Sequence, residues 1–244
     1  QTVTQGMGLV SGSVQFIRKD PDFSEKPYNI NASLTAGSND RRDGSLEAEF
    51  GGKYGYVRSN ISHNEADDYK DGSGKSVHSH FKRDSQMLQL GITPTENTTI
   101  AGTYERSRAK VAYADRMMDG SKFDRDAWNV RFTQRNLTPW FSELELRYGE
   151  SEIDHVMDTY SLRTIRNPAG KQIKNANNPK RNTDTGRLKA TFDWDNLNLQ
   201  TGVDYMDDVH VARMERGGDG YSHKPFMPNQ SFKQWGVFTE AAWQ

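Results

Sequence analysis

His155 and Met157 stand two residues apart in the run Ser151-Glu152-Ile153-Asp154-His155-Val156-Met157-Asp158-Thr159-Tyr160. An imidazole nitrogen beside a thioether sulfur is a soft donor pair, which favours copper, especially Cu(I), over hard cations. Short motifs also arise by chance, and the plain alternative is a polar histidine beside a methionine that merely packs. Met117, Met118, Met206, Met214 and Met227, with His210 as an auxiliary donor, are candidates for a path that hands a soft metal to that pair. Scattered methionine is more often a filler of irregular gaps. His78-x-His80 offers two imidazoles beside the Gly/Lys/Asp-rich stretch 67–79, where a solvated histidine is the ordinary case. Glu143 with Glu145, Asp207 with Asp208, and Asp154 and Asp158 around His155 raise an enzymatic reading. No oriented acid–base pair emerges from them, and no EF-hand spacing is present for calcium.

The elements that must position these residues are strands. The 244-residue chain is only 33% hydrophobic yet 11% aromatic, and its mean hydropathy is -0.92. A polar average with many aromatics suits a barrel with a wet interior and long loops better than a soluble domain with a thick core. No apolar run approaches the length of a membrane helix. There are no cysteines, so thiolate sites and disulfides are absent from this segment. A net charge of -1 gives no electrostatic case for nucleic acid. Gln1-Thr2-Val3 opens without a basic or apolar leader, which reads as a mature or truncated start.

Period-two alternation recurs throughout: Ile30, Ala32 and Leu34; Leu88, Leu90 and Ile92; Leu144, Leu146 and Tyr148; Leu188, Ala190, Phe192 and Trp194. Alternate residues of a strand point to opposite faces, so each segment has one greasy and one wet side. A sandwich alternates too, but charges run through the middle of these wet faces, as in a water-filled lumen. Ten strands are predicted near 28–38, 44–52, 53–66, 80–93, 99–113, 124–136, 141–162, 183–195, 197–214 and 231–244. Tight connections at Gly51-Gly52, 94–97, 137–139 and Asp195-Asn196 alternate with long polar ones at 67–79, 114–123, 163–182 and 215–230. Antiparallel outer-membrane barrels put short turns in the periplasm and long loops outside. The expected fold is therefore all-β, an antiparallel transmembrane β-barrel. An open sheet edge cannot sit in lipid, so either ten strands close on themselves or further strands complete the wall. The second is expected, because the last predicted strand ends on Trp243-Gln244 without a closing turn.

In the predicted strand 141–162, Leu144, Leu146 and Tyr148 mark the even face as lipid-facing, which turns His155 and Met157 to the lumen if no bulge intervenes. They also lie beyond the roughly 10-residue crossing, in the outer half where a ligand would arrive.

Residues 1–18 carry a family signal. Gln1-Thr2-Val3, Gly6, Gly8, Ser11-Gly12-Ser13-Val14, Phe16 and Arg18 resemble the end of the plug domain of TonB-dependent outer-membrane receptors. Everything after it is similar to the first half of that family's barrel of about 22 strands. The resemblance implies residues 1–20 as the C-terminal end of a plug, 21–27 as a linker, and 28–244 as the N-terminal part of the barrel. Within the family, the segment around His155 resembles the copper receptors of pseudomonads and their relatives. Those use a His-x-Met pair on the barrel wall, matched here by His155 and Met157, and a Cys-xxx-Met pair in the plug. The resemblance implies copper import, oxidation state open, in the outer membrane of a Gram-negative bacterium. Its partners would be TonB, reached through an N-terminal segment outside this sequence, together with the bilayer and lipopolysaccharide. A siderophore or other metal-chelate receptor of the same fold is the second reading. Aromatic and arginine clusters in the outer loops would mark it. A self-contained ten-stranded barrel enzyme is the third.

Overall fold

The computed structural model describes residues 20–243. The plug-end segment expected at 1–20 therefore lies, apart from Asp20, outside the described residues. The strands are β1 (Tyr28–Gly37), β2 (Arg41–Gly52), β3 (Gly55–Ala66), β4 (Tyr69–Lys70), β5 (Ser76–Val77), β6 (Phe81–Thr95), β7 (Thr98–Val111), β8 (Asp119–Arg135), β9 (Phe141–Asp158), β10 (Asn175–Trp194), β11 (Leu197–Arg216) and β12 (Met227–Trp243). Ten of them form one antiparallel meander, β1-β2-β3-β6-β7-β8-β9-β10-β11-β12, while β4 and β5 pair as a small separate hairpin. Among the described residues β1 and β12 are the edges and do not pair with each other, so these ten strands do not close on themselves.

The register shows why the sheet is a membrane wall. One row across seven strands reads Ile92, Ile100, Phe132, Leu146, Leu188, Val203, Val237. One residue along, the neighbouring row reads Gly91, Ala101, Arg131, Arg147, Arg187, Asp204, Gly236. The side-chain period of two puts these rows on opposite faces. The first row leaves Ile92, Leu146, Leu188 and Val237 exposed, far more contiguous apolar surface than water tolerates. The second is paired internally: Arg187 donates to Asp204 at 2.6 and 2.9 Å, and Arg131 is bonded to Asp20 of the N-terminal segment. Asp20 also accepts from Tyr56, at 3.2 Å. The polar face against which residues 20–27 pack is the lumen.

Aromatic girdles bound the apolar band. Trp140, Phe141, Phe192 and Trp194 stack at one margin with centroids 4.7–6.5 Å apart. Trp128 with Tyr148, and Tyr205 with Trp235, form the other at 5.5 and 4.6 Å. From Trp194 to Gly186, the partner of Tyr148, the strand runs roughly 26 Å, which at a barrel tilt of about 35–45° covers about 20 Å of height, most of the roughly 25 Å apolar band. A charge placed there has no partner: Leu146→Arg is expected to destabilise the barrel by about 2–4 kcal/mol. Urea unfolding in lipid vesicles measures this, and Arg147→Leu on the lumen face should not show the same lipid-dependent loss.

The β2–β3, β6–β7, β8–β9 and β10–β11 turns are tight, and the opposite connections are long, except β1–β2. That one is the three-residue connection 38–40, in which Asn39 (φ 60) and Asp40 (φ 52) both take the left-handed conformation of a type I′ turn, closed by the Arg41 amide on the Ser38 carbonyl at 3.4 Å. The predicted strands are all present, but their outer ends are misplaced. β10 begins at Asn175 instead of 183, β8 at Asp119 instead of 124, and β9 stops at Asp158 instead of 162. Above the bilayer both faces of a strand are wet, so hydrophobic alternation vanishes while the hydrogen-bond ladder continues.

Candidate metal site on the lumen wall

His155 and Met157 sit near the outer end of β9, seven and nine residues past the girdle residue Tyr148. Between Arg147 and Met157 the pairing of β9 with β10 shows no register shift, so the lumen parity of the lower strand carries through to both. Across β9, His155 pairs with Phe123 and Met157 with Gly120, after a bulge between Gly120 and Lys122. Phe123 stacks on the imidazole, with centroids 3.9 Å apart and planes 27° from parallel. A side chain at Gly120 would overlap the Phe123 ring, so the glycine leaves the room in which that ring covers His155. On its other side Met157 pairs with Asn177. Both members of the pair are half-buried.

The opposite face of the wall fixes the backbone here. Asn178, with no accessible surface, donates to Asp154 Oδ1 at 2.6 Å and to the His155 carbonyl at 3.0 Å. Its side-chain Oδ1 accepts from Arg213 Nε at 2.7 Å, and Lys122 Nζ donates to Asp154 at 2.6 Å. These groups are spent on one another. His155 is different: its Nε2 is buried and has no hydrogen-bond partner. Burial pushes the imidazole below its ordinary value, with Asp154 opposing only in part. A lowered histidine pKa keeps the ring neutral to more acidic pH, and only the neutral ring has the lone pair a metal needs. The affinity of a metal ion held here should therefore hold steady from pH 8 to about 6.5, the ordinary imidazole value, and fall below it. Affinity measured across that range checks this, and a decline already under way above pH 7 would contradict it.

The remaining expected residues are dispersed. Met214 lies in the same register row as Met157, across Asn177, roughly 10 Å away on the same face. Met227 follows on β12 opposite Ala212. Met206 faces the lumen lower down, opposite Thr185 in the row of Gly149. Met117 and Met118 are in the β7–β8 connection, the first exposed and the second half-buried. His210 Nε2 is already bonded to the buried Asp208 at 2.8 Å. Phe123, Gly120 and Asn178 shape the site and were not singled out by sequence, because only the strand register brings them to it.

The carboxylates that prompted an enzymatic reading are engaged in the wall. Glu143 pairs with Lys189 and Arg135, Glu145 with Arg147, Asp208 with Arg181, and Asp207 with Lys233. Asp158 caps the amides of Tyr160 and Ser161. None meets His155 Nε2.

The fold is that of a copper-receptor-like outer-membrane barrel. No protein-family model matches the chain, and no curated protein does. Among solved structures it matches the copper transporter OprC, with a TM-score of 0.89 and 35% identity over 93% of this chain. The chain spans 36% of the length of that transporter. The neighbour is a transporter, in keeping with a barrel that is not an enzyme.

Proposed function

We propose that this chain is the N-terminal part of the barrel wall of a TonB-dependent receptor that captures copper and imports it across the outer membrane. In this reading residues 1–20 end a plug, 21–27 link it to the wall, and 28–244 begin a larger barrel that further strands complete. The observation that carries the reading is the buried, unpartnered Nε2 of His155 two residues from a thioether on the same lumen face. A neutral imidazole and a sulfur select copper over the hard cations that crowd any outer surface. Likeness to a solved copper transporter supports the same substrate.

Met117, Met118, Met214, Met227 and Met206 would pass the ion along the lumen, with His210 as an auxiliary donor once it releases Asp208. TonB would act on the plug, and copper is cargo in either oxidation state. Lipopolysaccharide and bilayer would cover the outer face of the wall, where Lys82, Arg108 and Lys122 alternate with Asp84, Asp124 and Asp158 around a cavity of about 830 Å³.

The chelate-receptor reading would need free arginine and aromatic groups in the outer loops. Arg213 does stack on Phe226 at 4.2 Å and Tyr221 at 5.4 Å. Its guanidinium, however, is committed to Asn178 and the Ser222 carbonyl, so that cluster closes a loop. Copper accumulation, measured by mass spectrometry in cells with and without the full-length protein, tests the proposal. Higher copper in the expressing cells is expected. Equal copper together with receptor-dependent growth on an iron chelate would overturn it.

A further inference from the structure

The outer connection between β3 and β6 holds a second group of donors, unrelated to the soft pair. One ring nitrogen each of His78 and His80 and a carboxylate oxygen of Asp68 lie within 4.8 Å of one another, all three residues half-buried. By sequence His78 and His80 read as ordinary solvated loop histidines; the structure shows both rings held.

Each imidazole is oriented by a carboxylate on one nitrogen. His78 Nε2 bonds Asp119 Oδ2 at 2.9 Å. Asp119 has no accessible surface and is itself fixed by Arg163 Nε at 2.7 Å and the Tyr113 amide at 3.0 Å. His80 Nδ1 bonds Asp68 Oδ1 at 2.8 Å, an oxygen that also accepts the Ser79 and His80 amides at 2.8 and 2.9 Å. For His78 the Asp119 carboxylate on Nε2 fixes the tautomer and leaves the Nδ1 lone pair turned toward Asp68, which is how metal-binding histidines are commonly prepared, while at His80 an ion would take the place of the proton that Nδ1 shares with Asp68. His78 Nδ1 lies 4.0 Å from Asp68 Oδ2. Tetrahedral ligands sit roughly 3.4 Å apart around an ion bound at about 2.1 Å, so a small rotation brings them to bonding geometry.

We propose that Asp68, His78 and His80 form a binding site for a borderline divalent transition ion of the Zn²⁺, Ni²⁺ or Cu²⁺ class. Two imidazoles and a carboxylate, without sulfur, select that class and not Cu(I). An ion here ties the β3–β6 connection, through Asp119 and Arg163, to the β7–β8 and β9–β10 connections, since Arg163 also donates to the Arg116 carbonyl at 2.8 Å.

The test is calorimetric titration of the full-length receptor with Zn²⁺, in a His155→Ala, Met157→Ala background that silences the lumen pair. About one equivalent should bind, and adding His78→Ala with His80→Ala should weaken it at least tenfold. Asp68→Asn keeps the side chain's shape and should weaken it too, so the claim stays testable if the double alanine variant fails to fold. Absence of saturable Zn²⁺ binding in the background, or affinity unchanged by these substitutions, overturns the proposal. Because the lumen pair is absent throughout, failure here is distinguishable from failure of the copper reading.

Discussion

Replacing His155 or Met157 by alanine should each lower the copper affinity of the full-length receptor by at least about 100-fold. Loss of a group that only orients a ligand typically costs 10–100-fold, so loss of a ligand should cost no less. The two substitutions should also differ. Removing Met157 takes away the soft donor and should weaken Cu(I) more than Cu(II), whereas removing His155 should weaken both. The barrel itself should be indifferent to either change. Both side chains stand on the lumen face of a strand held by its neighbours, Met157 paired with Gly120 and Asn177 and His155 with Phe123, whose ring it stacks on. A competitive titration with chelators specific for each oxidation state reads both affinities. Equal, small losses for the two variants would make the pair a packing feature.

Arg163→Ala should release the outer loops by about 3–5 kcal/mol while leaving the membrane wall folded. Asp119 is fully buried, and Arg163 supplies two of its bonds through a planar fork. Without the fork, a buried anion keeps only His78 and the Tyr113 amide, and breaking one side of a buried ion pair is costly at this scale. The same guanidinium bonds the Tyr113 and Arg116 carbonyls, so residues 112–118 and 159–174 lose their common anchor together. Hydrogen exchange should rise in both segments and not in β6–β11 within the bilayer. Arg163→Lys should rescue only part of the effect, since an ammonium lacks the fork. Unchanged exchange in the two loops would contradict this account.

The part of the fold within the bilayer was readable because lipid and lumen impose opposite chemistry on successive residues. Leu144, Leu146 and Tyr148 against Glu145 and Arg147 could hardly be anything but a strand with a greasy and a wet face. The parity of His155 and Met157 followed from that alternation by counting. What lay above the bilayer was harder. Asn175 to Asn182 begins β10 yet shows no alternation, because water bathes both its sides. The sequence places it in a loop. The stacking of Phe123 on His155 depends on the register between β8 and β9, which is set across the turn at 136–140 and altered by the bulge after Gly120. No local pattern announces that bulge. The link from His78 to Asp119 spans 41 residues and two loops, so two histidines that look solvated in the sequence are in fact held by carboxylates. A structural neighbour at 35% identity supports the barrel and its class, while the roles of His155 and Met157 rest on their own chemistry.

The most direct measurement is an anomalous diffraction map, at the copper edge, of the full-length receptor crystallised with copper. A copper peak is expected on the lumen wall within about 2.0–2.4 Å of both His155 Nε2 and Met157 Sδ. Copper bound elsewhere in the lumen, with His155 Nε2 left uncoordinated, would contradict it.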